Sequence, residues 1–113
     1  MILIYKIFRA EEYTSFVANG ETAGAPVDLA DGYIHFSTAG QLAVTASKHF
    51  AGEHDLKLLA VDADALGKAL VWEPSRGGAL FPHLYRKLTI EDVVWVEDLP
   101  FEDGRHRFRG VDV

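Results

Sequence analysis

Gly32-Tyr33-Ile34-His35-Phe36-Ser37-Thr38 is the stretch on which the fold turns, because its first half reads as a strand and its second half opens a helix. Asp31-Gly32 turns the chain into the apolar run Tyr33 to Phe36, and the boundary falls at Ser37. Thr38-Ala39-Gly40-Gln41 then matches a capping box, with a hydroxyl able to accept from a first-turn amide and Gln41 able to reach back. Leu42, Ala46, His49 and Phe50 follow on one helical face, and Gly52 closes it. A strand that runs into a helix start delivers His35 and Ser37 to one side, beside amides that have no intrahelical partner.

Working outward, Ile2 to Ile7 is β-rich and nearly continuous in apolar character, which predicts a central strand covered on both faces. Tyr13, Phe16 and Val17 recur at helical spacing between Arg9 and Asn19, with Gly20 at the position of a left-handed cap. Asn19 to Asp31 mixes Gly, Pro, Thr and acidic residues and reads as a surface loop. Further strands are predicted at Leu56–Val61, Ala69–Glu73 and Val93–Glu97, with a one-turn helix or turn at Asp62–Gly67. Pro74 to Gly78 should break the strand before it, and a turn should centre on Gly104. Pro82 marks Leu80–Tyr85 as an edge or irregular extended segment. Five or six strands and two helices, helices early and strands late, predict an α+β fold over residues 1–113 as one domain.

Composition bounds the chemistry. The 113 residues are 49% hydrophobic, enough for one core, and contain no cysteine, so thiol nucleophiles, thiolate zinc sites and disulfides are excluded. Catalysis falls to histidine, carboxylates and hydroxyls. The formal charge of −6, from 11 basic and 17 acidic side chains, opposes binding of bulk nucleic acid. Arg105-His106-Arg107-Phe108-Arg109 is the local exception, read as an exposed segment balancing Glu102, Asp103 and Asp112. No apolar run is long enough for a membrane span and the first residues do not resemble a secretory signal, so a cytoplasmic location is expected.

Three stretches carry candidate chemistry. His35, Ser37 and Thr38 at a helix start suit a phosphate or carboxylate, with His35 bonding an adjacent hydroxyl; the alternative is that Ser37 and Thr38 only cap and His35 satisfies a buried carbonyl. In Phe81-Pro82-His83-Leu84-Tyr85 an extended chain puts Phe81, His83 and Tyr85 on one face, an aromatic platform beside an imidazole that suits a planar ring. Glu73, at a strand end before Gly77-Gly78, is placed for a general base or for sugar hydroxyls, and Arg76 beside it could pair with phosphate. A metal site would need ligands from distant segments such as His35, His83 and Glu73; no metal-binding signature occurs, and none is expected.

Gly32-Tyr33-Ile34-His35-Phe36-Ser37 with Gln41, Phe50-Ala51-Gly52 with Asp55-Leu56, Trp72-Glu73, and Phe81-Pro82-His83-Leu84-Tyr85 with Leu88 together resemble the bacterial domain-of-unknown-function family DUF952, from Ile4 to about Val96. That family is distantly similar to the ADP-ribosyltransferase fold, whose relatives include RNA 2′-phosphotransferases. The resemblance implies a split sheet that binds NAD, with His35-Phe36-Ser37 as the strand-borne His-x-Ser element. It makes Tyr85 the residue stacking on nicotinamide and Glu73 the acid at the reacting ribose. The ligand expected is NAD or an ADP-ribose derivative, and the activity an ADP-ribosyl or phosphoryl transfer. The rival expectation is a ligand- or partner-binding module without turnover.

Overall fold

The computed structural model describes every residue except Arg76, Asp112 and Val113. In chain order its elements are β1 (Leu3–Arg9), α1 (Ala10–Asn19), β2 (Glu21–Thr22), α2 (Pro26–Asp31), β3 (Ile34–His35) and, after a 3-10 turn at Ala39–Gln41, α3 (Leu42–His49). The second half holds β4 (Leu56–Asp62), α4 (Ala63–Leu66), β5 (Leu70–Ser75), β6 (Ala79–Leu84), β7 (Leu88–Thr89), β8 (Val93–Leu99), β9 (Phe101–Glu102) and β10 (Arg105–His106). The mixture of helices with antiparallel strand pairs is α+β. The elements beyond the expected five or six strands are mostly two-residue pairings, too short to leave a periodic signal.

Two three-stranded sheets form the frame, ordered β1-β4-β8 and β3-β6-β5. Alternation along β1 sends Ile4 and Phe8 into one apolar cluster with Phe16, Ile34, Phe36 and Leu84, and Tyr5 and Ile7 into another with Leu42, Ala46 and Leu58. Burial on both faces explains the unbroken apolar run, but β1 is an edge strand and β4 is the central one. The outer edge of β1 is met by the other sheet: Tyr5 and Ser37 exchange backbone bonds of 2.8 and 2.9 Å. Those two bonds close the edge and fix Ser37 beside β1.

Pro82 corrects a second expectation, for β6 is the central strand of its sheet. The Pro82 carbonyl accepts from Phe36 N–H at 3.0 Å, so the donorless nitrogen faces the same way, where β3 ends. Toward β5, Pro82 sits opposite Trp72 at a position that needs no bond. Pro74, opposite Leu80, has its nitrogen on the open edge of β5, which is why the strand continues to Ser75 instead of breaking.

The stretch read as a surface loop between Asn19 and Asp31 is instead ordered into β2 and α2. Gly20, at φ 77°, caps α1 through its N–H to the Phe16 carbonyl, and Pro26 opens α2. On α1, Phe16 is buried but Val17 is exposed, so the buried face is narrower than its apolar spacing implied. No helix among the described residues is long and apolar enough to cross a membrane.

Candidate functional site

The antiparallel register places His35 directly opposite His83 and Glu73 opposite Phe81. Residues alternate across a strand, so His35 from β3, Phe81 and His83 from β6 and Glu73 from β5 share one face of the sheet, while Ile34, Phe36 and Leu84 fill the core on the other. Tyr33 lies at the centre of that face. Its ring centroid is 4.7 Å from His35, 4.2 Å from His83 and 5.1 Å from Tyr85, and the two imidazole centroids are 5.2 Å apart.

Each imidazole is gripped by a carboxylate. His35 Nδ1 is 2.6 Å from Asp28 Oδ1, and the same oxygen accepts from the His35 backbone N–H at 3.0 Å. Asp28 is fully buried; its other oxygen takes Lys6 Nζ at 2.7 Å and the Ala25 N–H at 2.7 Å, while Lys6 also donates to the His35 carbonyl at 3.0 Å. Burial pushes the Asp28 carboxyl up, but the His35 bond and the Lys6 ammonium outweigh it and hold Asp28 below its ordinary range. Burial lowers the Lys6 ammonium, and Asp28 only partly restores it. His35 Nε2 lies 2.9 Å from Asp31 Oδ2 at the end of α2.

The second grip is more open. Glu73 Oε1 is 2.8 Å from His83 Nδ1 and accepts from the Tyr85 hydroxyl at 2.7 Å. The Tyr85 bond, followed by the His83 bond, draws the Glu73 carboxyl below its ordinary value. The same carboxylate pushes the Tyr85 phenol up to about 12. Tyr33 is raised too, first by desolvation and then by Asp31 and Glu73.

A cavity of about 510 Å³ adjoins this face, closed by Tyr5, Lys6 and Ile7 of β1, the start of α2, and Leu42, Thr45 and His49 of α3. His35, Ser37 and His83 all line it. Ser37 Oγ is 2.9 Å from Thr45 Oγ1 across the cavity wall. Glu73 and Tyr85 are not lining residues; they join the cavity through His83, and Ser75, two residues along β5 on the Glu73 face, lines it. Thr38 lies outside the lining, its N–H held by Gln41 Oε1 at 3.0 Å, while Gln41 Nε2 donates to the Leu80 carbonyl at 2.8 Å. Gln41 therefore reaches back as the capping box requires. Arg76 lies outside the described residues. Both Nδ1 atoms of the suggested metal set are engaged by Asp28 and Glu73, and among the described residues no three His, Cys, Asp or Glu side chains are grouped to hold a metal ion.

Four residues of this arrangement escaped the sequence reading: Lys6, Asp28, Asp31 and the hub Tyr33. Two signals pointed to Lys6 and Asp28, and none to Asp31 or Tyr33. Lys6 is the one charge inside the apolar run Ile2–Ile7, and Ala25-Pro26-Val27-Asp28 has proline at the first helical turn with an acid two residues on, a helix start inside an apparent loop.

The frame is two small antiparallel sheets with a histidine pair beside a cavity, and the chain belongs to the DUF952 family, described as a protein of unknown function, whose model matches residues 7–96. The chain is similar to protein CC0527 from Caulobacter crescentus. The crystal structure of that protein has 49% identity and a TM-score of 0.89, covering 93% of both chains. Its solution structure gives 48% identity and a TM-score of 0.84, covering 94% of this chain and 91% of that one. No curated protein matches the chain.

Proposed function

We propose that the cavity binds a nucleotide-like, phosphorylated ligand of the NAD or ADP-ribose type. The observation that carries this reading is the aromatic cluster of Tyr33, His35, His83 and Tyr85, of which His35 and His83 line a cavity of about 510 Å³, within the size range of small-ligand pockets. The aromatic rings suit stacking on a planar base, and Glu73, held ionised by Tyr85 and His83, suits ribose hydroxyls. Lys6 and Ser37 give the lining a cation and a hydroxyl. The two antiparallel sheets joined at Tyr5 and Ser37 support an ADP-ribosylation-like arrangement with the ligand beside the junction.

In a transfer reaction the bond from ribose C1′ to the nicotinamide nitrogen breaks, its electron pair leaves with nicotinamide, and a lone pair of the acceptor forms the new bond to C1′. Glu73 stabilises the positive charge that develops on the ribose, and His35 with Ser37 orients the substrate. Fold alone does not confer this activity. A second reading, binding without turnover, is favoured by one observation: a single Glu73 oxygen already serves both His83 and Tyr85.

Isothermal titration with NAD and with ADP-ribose is the test. Heat is expected from the wild type and much less from His35→Ala and Glu73→Gln. Silence of the wild type with both compounds overturns the reading. Binding with no nicotinamide released over hours selects the module without turnover.

A further inference from the structure

The two histidines differ in a way that ribose transfer does not use. His35 has Asp28 Oδ1 hydrogen-bonded to its Nδ1 at 2.6 Å, and Asp31 Oδ2 lies 2.9 Å from its Nε2. His83 has its Nδ1 against Glu73 Oε1 at 2.8 Å, and Nε2 is its other ring nitrogen. Two imidazoles, each with Nδ1 against a carboxylate, thus stand on paired positions of adjacent strands, 5.2 Å between ring centroids, and both line the same cavity. Both are held from behind, one by a fully buried aspartate clamped by Lys6 and the other by a glutamate clamped by Tyr85.

We infer that His35 and His83 act as general acid and general base in opening a cyclic phosphodiester of a nucleotide ribose. Hydrolysis of such an ester needs one group to give a proton and another to take one, and two imidazoles on one side of a small cavity can divide those roles. Water attacks phosphorus while His83 Nε2 removes its proton, and the new P–O bond forms. The P–O bond to one ribose oxygen breaks, the electron pair stays on that oxygen, and His35 Nε2 supplies its proton. One water is consumed and a phosphomonoester is released. Asp31, nearly half exposed at the end of α2, occupies the place the leaving oxygen takes and gives way to it.

The inference rests on the same cavity as the NAD reading but on different chemistry, so the two fail separately. The full chain is incubated with 2′,3′-cyclic nucleoside monophosphates in buffer containing a chelator and followed by phosphorus NMR. The wild type is expected to yield one monophosphate isomer. His83→Gln and His35→Gln should each slow this by about 100-fold or more, the usual contribution of a general acid or base. His54→Gln, at a histidine that packs on Phe101 and does not line the cavity, should leave the rate unchanged. No conversion by the wild type, or equal conversion by His83→Gln, overturns the acid–base pair whatever the state of His35→Gln. A chain that binds NAD yet leaves the cyclic ester intact overturns this inference alone, and one that opens the ester without binding NAD overturns only the NAD reading.

Discussion

Asp28 is the residue on which the site's geometry depends. Its carboxylate, itself without solvent exposure, makes contact with Lys6 Nζ, His35 Nδ1 and the backbone N–H groups of Ala25 and His35. Asp28→Ala leaves the Lys6 ammonium buried and without its counter-charge. Breaking a buried pair from one side costs about 3–5 kcal/mol, so urea unfolding should show a loss of that order, far above that of an exposed substitution such as Asp64→Ala. Tyr85 gives a test at the alkaline end. Its phenol is raised from 10.0 to about 12 because the neutral form donates to Glu73. A group raised in the folded state contributes stability that is complete below the unfolded value and disappears as pH climbs through the folded one. The difference in stability between wild type and Tyr85→Phe should therefore be constant from neutral pH up to 10 and shrink between 10 and about 12, measured by denaturant unfolding across that range. A difference that does not change there would mean the Tyr85–Glu73 bond is not made in solution.

Elements bring the residues together, and α2 is the decisive one. Gly24, at φ 107°, makes the turn into it, and a Cβ there would lie 2.3 Å from Asp28 Oδ2. Gly24→Ala must both adopt a left-handed backbone and displace a carboxylate that Lys6 and His35 hold in place, so it should cost well over the ~1 kcal/mol of an ordinary misplaced alanine. Gly32→Ala, also at positive φ but with open space around it, supplies the comparison in the same unfolding assay. These elements also mark how far the sequence is legible. The strand before Ser37, the helix after Thr38 and the shared side of His83 and Tyr85 follow from alternation and capping, which are local, and the structure has them, with the strand shortened from Tyr33–Phe36 to Ile34–His35. What local pattern does not contain is strand order. The expectation that β1 is central failed because two-sided burial, not sheet position, makes a strand uniformly apolar. Pro82 misled for a related reason: a central strand admits proline where the neighbour ends, and no property of residues 80–85 says where β3 stops. Asp28 was lost to composition, since a six-residue helix among Gly, Pro and acidic residues looks like a loop.

At the scale of the whole molecule, the cavity is walled by both sheets and two helices: β1 from one sheet, His35 and His83 from the other, the start of α2, and α3. The sheets touch there through the Tyr5 and Ser37 bonds, so a ligand in the cavity contacts parts of the chain far apart in sequence. Binding to the folded state alone stabilises it by an amount that grows with the logarithm of free ligand, about 2.7 kcal/mol at one hundred times the dissociation constant. With ADP-ribose the unfolding temperature should keep rising as ligand is added beyond saturation. Amide exchange gives the location, because protection spreads to whatever the ligand ties together. For a ligand in this cavity, exchange should slow together at Tyr5–Ile7, His35–Ser37 and Phe81–His83, three segments from two sheets. A ligand held instead at the exposed arginines Arg105 and Arg109 should slow exchange around β9 and β10 and leave those three segments unchanged, which would place binding away from the histidine pair.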